Sequence, residues 1–222
     1  MIKFKKYIGS YGQYKFYFVD DLEIRNSSLE NEEFTNYALY EDFPNLIPRN
    51  EVWISKNISR DEASIIIDEA LENIKLRLRG FSRELAYNLA LSHSASERQK
   101  RIGMKLNPEE MSLVPLIPIA DKIYIRKLHS NLTTATIYLV NGNMVRSIYK
   151  HDFVIGGHGY VYQFIPLDEI WIEKDVPVEE RILVLIHEAV ERKLMKEQQM
   201  DYEQAHEIAS KKEWQYRTKL FH

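Results

Sequence analysis

His187 and Glu191 stand four residues apart in His187-Glu188-Ala189-Val190-Glu191, so on a helix their side chains project from one face, close enough to grip one ion. The chain then turns back between Lys196 and Asp201 and enters a second helical stretch, which returns His206 as a third ligand. Two imidazoles and one carboxylate suit Zn2+ and leave a fourth position for water. Glu188, beside the first ligand, is placed to take a proton from that water. The chemistry would be hydrolytic. A plainer reading leaves Glu188 and Glu191 solvated, with His187 and His206 as partly buried rings making ordinary hydrogen bonds. Glu203-x-x-His206 prompts a di-iron alternative, but such sites usually carry two Glu-x-x-His motifs and one is present.

Further candidates surround this set. In Gly156-Gly157-His158-Gly159-Tyr160 the glycines would let a backbone or a substrate approach closely, and His158 or Tyr160 could polarise a carbonyl oxygen; a glycine-rich bulge or turn is the structural alternative. Tyr202, four residues before His206, is a candidate for an electrophilic or a packing role. Glu213, seven residues after His206, could orient the His206 imidazole.

The elements that must position these residues are written twice. Glu51-Val52-Trp53-Ile54-Ser55-Lys56 matches Glu169-Ile170-Trp171-Ile172-Glu173-Lys174 at an offset of 118. Ile65 to Glu72 lies over Val184 to Glu191 at 119, and Ala86, Tyr87 and Ala90 fall on Ala205, His206 and Ala209 at the same offset. Phe16 to Arg25 follows Ile137 to Arg146 at 121. Long constant blocks with loop-sized drifts indicate a tandem duplication. In the first copy His187 becomes Asp68 and His206 becomes Tyr87, so both imidazoles are missing together, which suggests that they act together. Asp68, Glu69 and Glu72 remain there and could bind a hard cation or merely solvate a helix; Tyr40 to Phe43 falls in the region of the Gly-Gly-His.

The expected class is therefore α+β, a duplicated unit of antiparallel strands followed by a long helix and a second helix. Residues 1–104 form a degenerate N-terminal copy, 105–120 a proline-containing linker and 121–222 a metal-binding C-terminal copy. Asn141-Gly142 signals a hairpin turn. Ser59 with Glu62 reads as a capping box, Pro177 with Glu179 and Glu180 as a helical first turn, and Ser82 and Asp201 as N-caps of the second helices.

From about Phe153 to Glu213 the chain resembles the zincin metallopeptidases, whose helix carries His-Glu-x-x-His with a later third ligand and an edge strand that aligns the substrate. It is also similar to small phage and prokaryotic proteins with a Gly-Gly-His, a Phe-Ile-Pro…Glu-Ile-Trp strand, a His-Glu helix and an Ala-His second helix. Here the second helix-borne ligand is Glu191 and the later one His206, a permutation that keeps two His and one Glu. The resemblance implies a peptide or protein substrate, aligned here by the strand Glu169 to Glu173. A non-catalytic duplicated interaction module, with a structural metal or none, is the alternative.

Composition narrows the field. The chain has 30 basic and 33 acidic residues with no basic block, which gives no reason to expect nucleic acid or an anionic membrane as partner. With no cysteine, disulfides and thiolate metal sites are excluded, and any metal must rest on His and carboxylate. No apolar run approaches a membrane span or a signal peptide, so a cytoplasmic protein is expected.

Overall fold

The computed structural model describes residues 2–101, 122–149 and 152–221. The linker expected at 105–120 lies outside the described residues. Contacts divide the chain into two units, and neither is a continuous stretch. One consists of Met1–Arg25, Glu33–Val114 and Arg146–Asp152; the other of Asn26–Glu32, Pro115–Val145 and Phe153–His222. Each unit thus includes a seven-residue segment from the opposite half of the chain. Among the described residues, no helix is long and apolar enough to cross a membrane.

The first unit opens with β1 (Lys5–Tyr11) and β2 (Tyr14–Val19), joined by a tight turn in which Gly12 takes a φ of 56° that side chains disfavour. After α1 (Asp21–Arg25) come β3 (Tyr37–Leu39) and β4 (Glu51–Ser55), then the paired helices α2 (Arg60–Leu78) and α3 (Arg83–Arg101). The strand order is β1-β2-β4-β3. In the second unit β5 (Tyr124–Leu128), β6 (Thr136–Val140), β7 (Gly156–His158) and β8 (Glu169–Glu173) take the order β5-β6-β8-β7. Helix α4 (Gly142–Tyr149) follows β6, and α5 (Arg181–Gln198) and α6 (Tyr202–Phe221) follow β8. The α+β class holds, and the two sheets share one topology.

Period-two burial builds each sheet. Val52 and Ile54 face α2, where they join Phe16, Ile66, Ala70 and Ile74, while Trp53 between them packs with Val19, Ile24, Phe34 and Ile47 on the other face. In the second unit Ile170 and Ile172 pack with Ile137, Leu139, Val184 and Ala189. The tryptophans of β4 and β8 donate their indole N–H to a glutamate two residues earlier on the same strand, Trp53 to Glu51 and Trp171 to Glu169, each at 2.6 Å. Ala86 and Ala90 on α3, and Ala205 and Ala209 on α6, are completely buried, small residues that let each second helix approach the first.

Several expectations are corrected. The sheets are mixed: the central pairs β2/β4 and β6/β8 run parallel, because the chain crosses over between them instead of turning back. Asn141-Gly142 makes no hairpin. It starts α4, and Asn141 Oδ1 accepts the Met144 N–H at 3.4 Å, as Asp20 Oδ1 accepts that of Glu23 at 3.4 Å before α1. The Asn-Gly pair fits an N-cap followed by a first helical residue as well as a turn. Ser59 does precede α2, but its side chain makes no capping bond, and Glu62 is buried against Arg98 and Arg146 instead. Pro177 lies in the turn before α5, whose N-cap is Glu180. Ser82 and Asp201 cap as expected, accepting the backbone N–H groups of Leu85 and Gln204 at 3.3 and 3.0 Å. Glu169 to Glu173 is an inner strand with partners on both sides, so the edge beside it is β7.

The polar interior of the first unit depends on Glu62, 2% exposed, whose Oε1 receives Arg98 at 2.6 Å and Arg146, from the exchanged segment, at 2.9 Å. Removing one member of a buried ion pair leaves the other charge uncompensated. Glu62→Ala is therefore expected to cost about 3–5 kcal/mol in urea unfolding, well above an ordinary surface truncation.

Candidate metal centre

Helices α5 and α6 bring His187, Glu191 and His206 to one point. His206 Nδ1 lies 2.7 Å from Glu191 Oε2 and 3.1 Å from His187 Nε2, and His187 Nε2 lies 3.5 Å from the same carboxylate oxygen. Tetrahedral bonds of about 2.0–2.2 Å would set ligand atoms roughly 3.3–3.6 Å apart, so an ion would require the His206–Glu191 contact to open by about 0.6–0.9 Å and the His187–His206 contact by about 0.2–0.5 Å. The ring tautomer of His187 is prepared for this. Its Nδ1 lies 3.2 Å from Glu213 Oε2 and 3.8 Å from Glu32 Oε1, which keeps the proton on Nδ1 and leaves Nε2 with its lone pair toward the site. Glu213 thus faces His187, a partner that its spacing from His206 had not suggested.

Behind Glu213 stands Arg217, 1% exposed, which donates to Glu213 at 2.6 Å, to both oxygens of Glu180 at 2.8 and 2.7 Å, and to Asn26 Oδ1 at 2.7 Å. Asn26 and Glu32 come from the exchanged segment. They could not be read from the sequence, since nothing in Asn26 to Glu32 indicates a partner so far along the chain; the Glu213/Arg217 spacing of four was the one visible trace of this network.

On the opposite side, His158 on β7 is fully buried, with Nε2 3.0 Å from Glu191 Oε1. Glu191, its carboxylate 3% exposed, lies between three imidazoles. Burial works to raise its carboxyl, but the close contacts with His158, His187 and His206 outweigh that and hold it well below the usual range. Burial likewise opposes the charge on His187, yet Glu191, Glu213 and Glu32 push its imidazole up to about 12. The described residues of the second unit bury Glu32, Glu173, Glu180, Glu191 and Glu213 against Arg192 and Arg217, and Arg192 bonds the Leu167 carbonyl.

Glu188 turns toward β7. Its buried carboxylate lies within reach of His158 and Glu191, and burial, opposed by the charge on His187, pushes it up to about 7. Gly156 makes the room: a Cβ there would stand 2.7 Å from Val184, 3.1 Å from Glu188 Oε1 and 3.1 Å from the Trp171 carbonyl. Just before it, Ile155 holds a φ of 66°, strained for a β-branched residue, while its carbonyl accepts the Glu173 N–H at 2.7 Å. Tyr202, largely exposed, packs its ring 5.2 Å from that of His206. Tyr160 lies 6.1 Å from the His158 ring. Glu203 is exposed and joins no ligand cluster among the described residues, which removes the di-iron arrangement.

The first unit fills the same positions differently. Sheet register sets Tyr37-Ala38-Leu39, not Tyr40 to Phe43, opposite Gly156-Gly157-His158. Where Gly156 leaves space, Tyr37 places a half-buried ring whose hydroxyl accepts from Asn73 at 3.4 Å. Glu69 accepts from Ser94 at 2.5 Å, Tyr87 donates to Asp152, and Glu72 pairs with Lys75 at 3.6 Å. Among the described residues Asp68, Glu69 and Glu72 form no ligand cluster. Comparisons with protein-family models, curated proteins and solved structures find no match for this chain.

Two expectations follow. Gly156→Ala should lower the melting temperature and weaken metal binding, because two of the three clashes involve groups that cannot simply swing away. A variant with wild-type stability and affinity would show that the close approach is unimportant. In the first unit, burial raises Glu69 to about 7, so the folded state retains a proton that the unfolded chain releases near pH 4.5. Stability is then lost as pH rises from about 4.5 to 7 and is flat above that. Glu69→Gln should stabilise the protein at pH 8, by no more than roughly 3 kcal/mol, and little at pH 4.5. Equal effects at both pH values in thermal unfolding would count against this account.

Proposed function

We propose that the second unit holds one zinc ion on His187 Nε2, His206 Nδ1 and Glu191 Oε2 and acts as a metal-dependent hydrolase, with a peptide bond as its substrate. The observation that carries the reading is the convergence of three ligand atoms at a buried carboxylate, with the Nδ1 side of His187 turned to Glu213. A bound zinc supplies acidification of water and polarisation of a carbonyl group. Glu188, turned toward β7, receives the proton released from the attacking water and passes it to the leaving amine. Because β8 is enclosed, an extended substrate would lie along β7. On this reading the chain is a tandem duplication of a zincin-like unit, and the first copy, with Tyr37, Asp68 and Tyr87 at the corresponding places, has no hydrolytic part.

Elemental analysis of purified protein tests the ligand set: about one zinc per chain is expected in the wild type, and loss of it in His187→Ala and His206→Ala. Against a peptide library, Glu188→Gln should retain the metal and lose activity by about 10²–10⁴-fold. Failure to take up zinc on reconstitution would refute the metal site. Zinc uptake with no hydrolysis by the wild type would instead favour a structural ion in an interaction module.

A further inference from the structure

His158 is 0% exposed, and the backbone N–H of Tyr160 donates to its Nδ1 at 3.2 Å. The turn that presents this N–H is tight: the N–H groups of Val161 and Tyr162 both bond the His158 carbonyl at 3.0 Å, and a Cβ on Gly159 would stand 2.5 Å from the Ile165 carbonyl oxygen. A ring nitrogen that accepts a hydrogen bond carries no proton, so the neutral His158 ring has its proton on Nε2. That nitrogen faces Glu191 Oε1 at 3.0 Å, a close polar contact without hydrogen-bond alignment. Glu191 Oε2, meanwhile, faces His187 and His206. The two oxygens are divided between two tasks.

We infer that His158 is a positioning residue that holds Glu191 to the metal through one oxygen and so keeps a coordination place open. The inference rests on the metal site proposed above. A carboxylate released from His158 could bind the ion through both oxygens, taking the place that water or a carbonyl group would use. The rival arrangement is a second ion on His158, Glu188 and Glu191, whose potential ligand atoms all lie within 4.8 Å of one another. It fails on the tautomer, since an Nε2 that carries a proton has no lone pair to give.

Cobalt(II) reports coordination number through its visible absorption, strong when four-coordinate and weaker as ligands are added. The full chain would be titrated with cobalt as wild type, His158→Gln, His158→Phe and His158→Asn. Gln retains an N–H near the Nε2 position and should keep the wild-type spectrum and affinity. Phe lacks the donor, and Asn is too short to reach Glu191. Both should bind cobalt about 10–100-fold more weakly, with lower visible absorption. If His158→Phe does not fold, His158→Asn carries the same comparison. Wild-type spectra and affinity in the Phe or Asn variant would overturn the inference, as would loss of the wild-type spectrum in His158→Gln. Two cobalt ions per wild-type chain, falling to one in the variants, would make His158 a ligand of a second ion. No cobalt bound by the wild type would defeat the underlying metal site, a failure distinguishable from all of these.

Discussion

A buried carboxylate that must be neutralised governs the second unit. Glu191 lies almost out of contact with water, and the elements around it supply donors to it: α5 gives His187, α6 gives His206 and β7 gives His158. One of these donors is itself held from behind. The His187 ring is oriented by Glu213, Glu213 by Arg217, and Arg217 by Glu180 at the start of α5. Such a network keeps its geometry only if every member is satisfied, because in a low-dielectric interior a missing partner costs more than its own bond. The helix pair and the glycine-rich strand are arranged around that requirement.

The first unit shows what the same topology does when the requirement is removed. Its buried acid, Glu62, is met by two guanidinium groups, and its second acid, Glu69, is answered by the Ser94 hydroxyl. Tyr37 occupies the space that glycine leaves elsewhere. Arg98 and Arg217 hold corresponding positions on α3 and α6 and perform the same task of gripping a glutamate from the preceding helix or its cap. The scaffold is thus indifferent to the chemistry: one set of side chains answers its carboxylates with guanidinium and hydroxyl groups, and the other surrounds one carboxylate with imidazoles.

Much of this was legible in the sequence. Spacing of four on a helix put His187 and Glu191 together, and the alanines that match across the two halves marked where the helices pack. The shared Glu-x-Trp pattern identified equivalent strands, and its reason is now visible in the indole-to-glutamate bonds. What the sequence concealed follows from two physical limits. Local signals are ambiguous where one dipeptide serves two structures, as Asn141-Gly142 serves a turn or a helix start, and Glu62 a cap or a buried pair. Long-range partners leave no local trace at all, so neither Asn26 on Arg217 and Glu32 beside His187 nor Arg146 on Glu62 could be anticipated. The parallel central strands belong to this second kind, since strand direction depends on where the intervening chain travels.

The exchanged segments bear on how the protein is made. Residues 1–101 can leave the ribosome and form their strands and helices, but Arg146, Ser147 and Asp152, which bond Glu62, Gln99 and Tyr87, have not yet been synthesised. The first unit must therefore wait, with part of its polar interior incomplete, until the chain has reached residue 152. The Asn26–Glu32 segment must stay available far longer, until α6 emerges with Arg217. Vectorial folding, one unit settling before the next appears, is the usual course for a chain with two cores. Here the order of synthesis and the order of completion are decoupled, and the last turn of α6 closes a structure begun by the first strands.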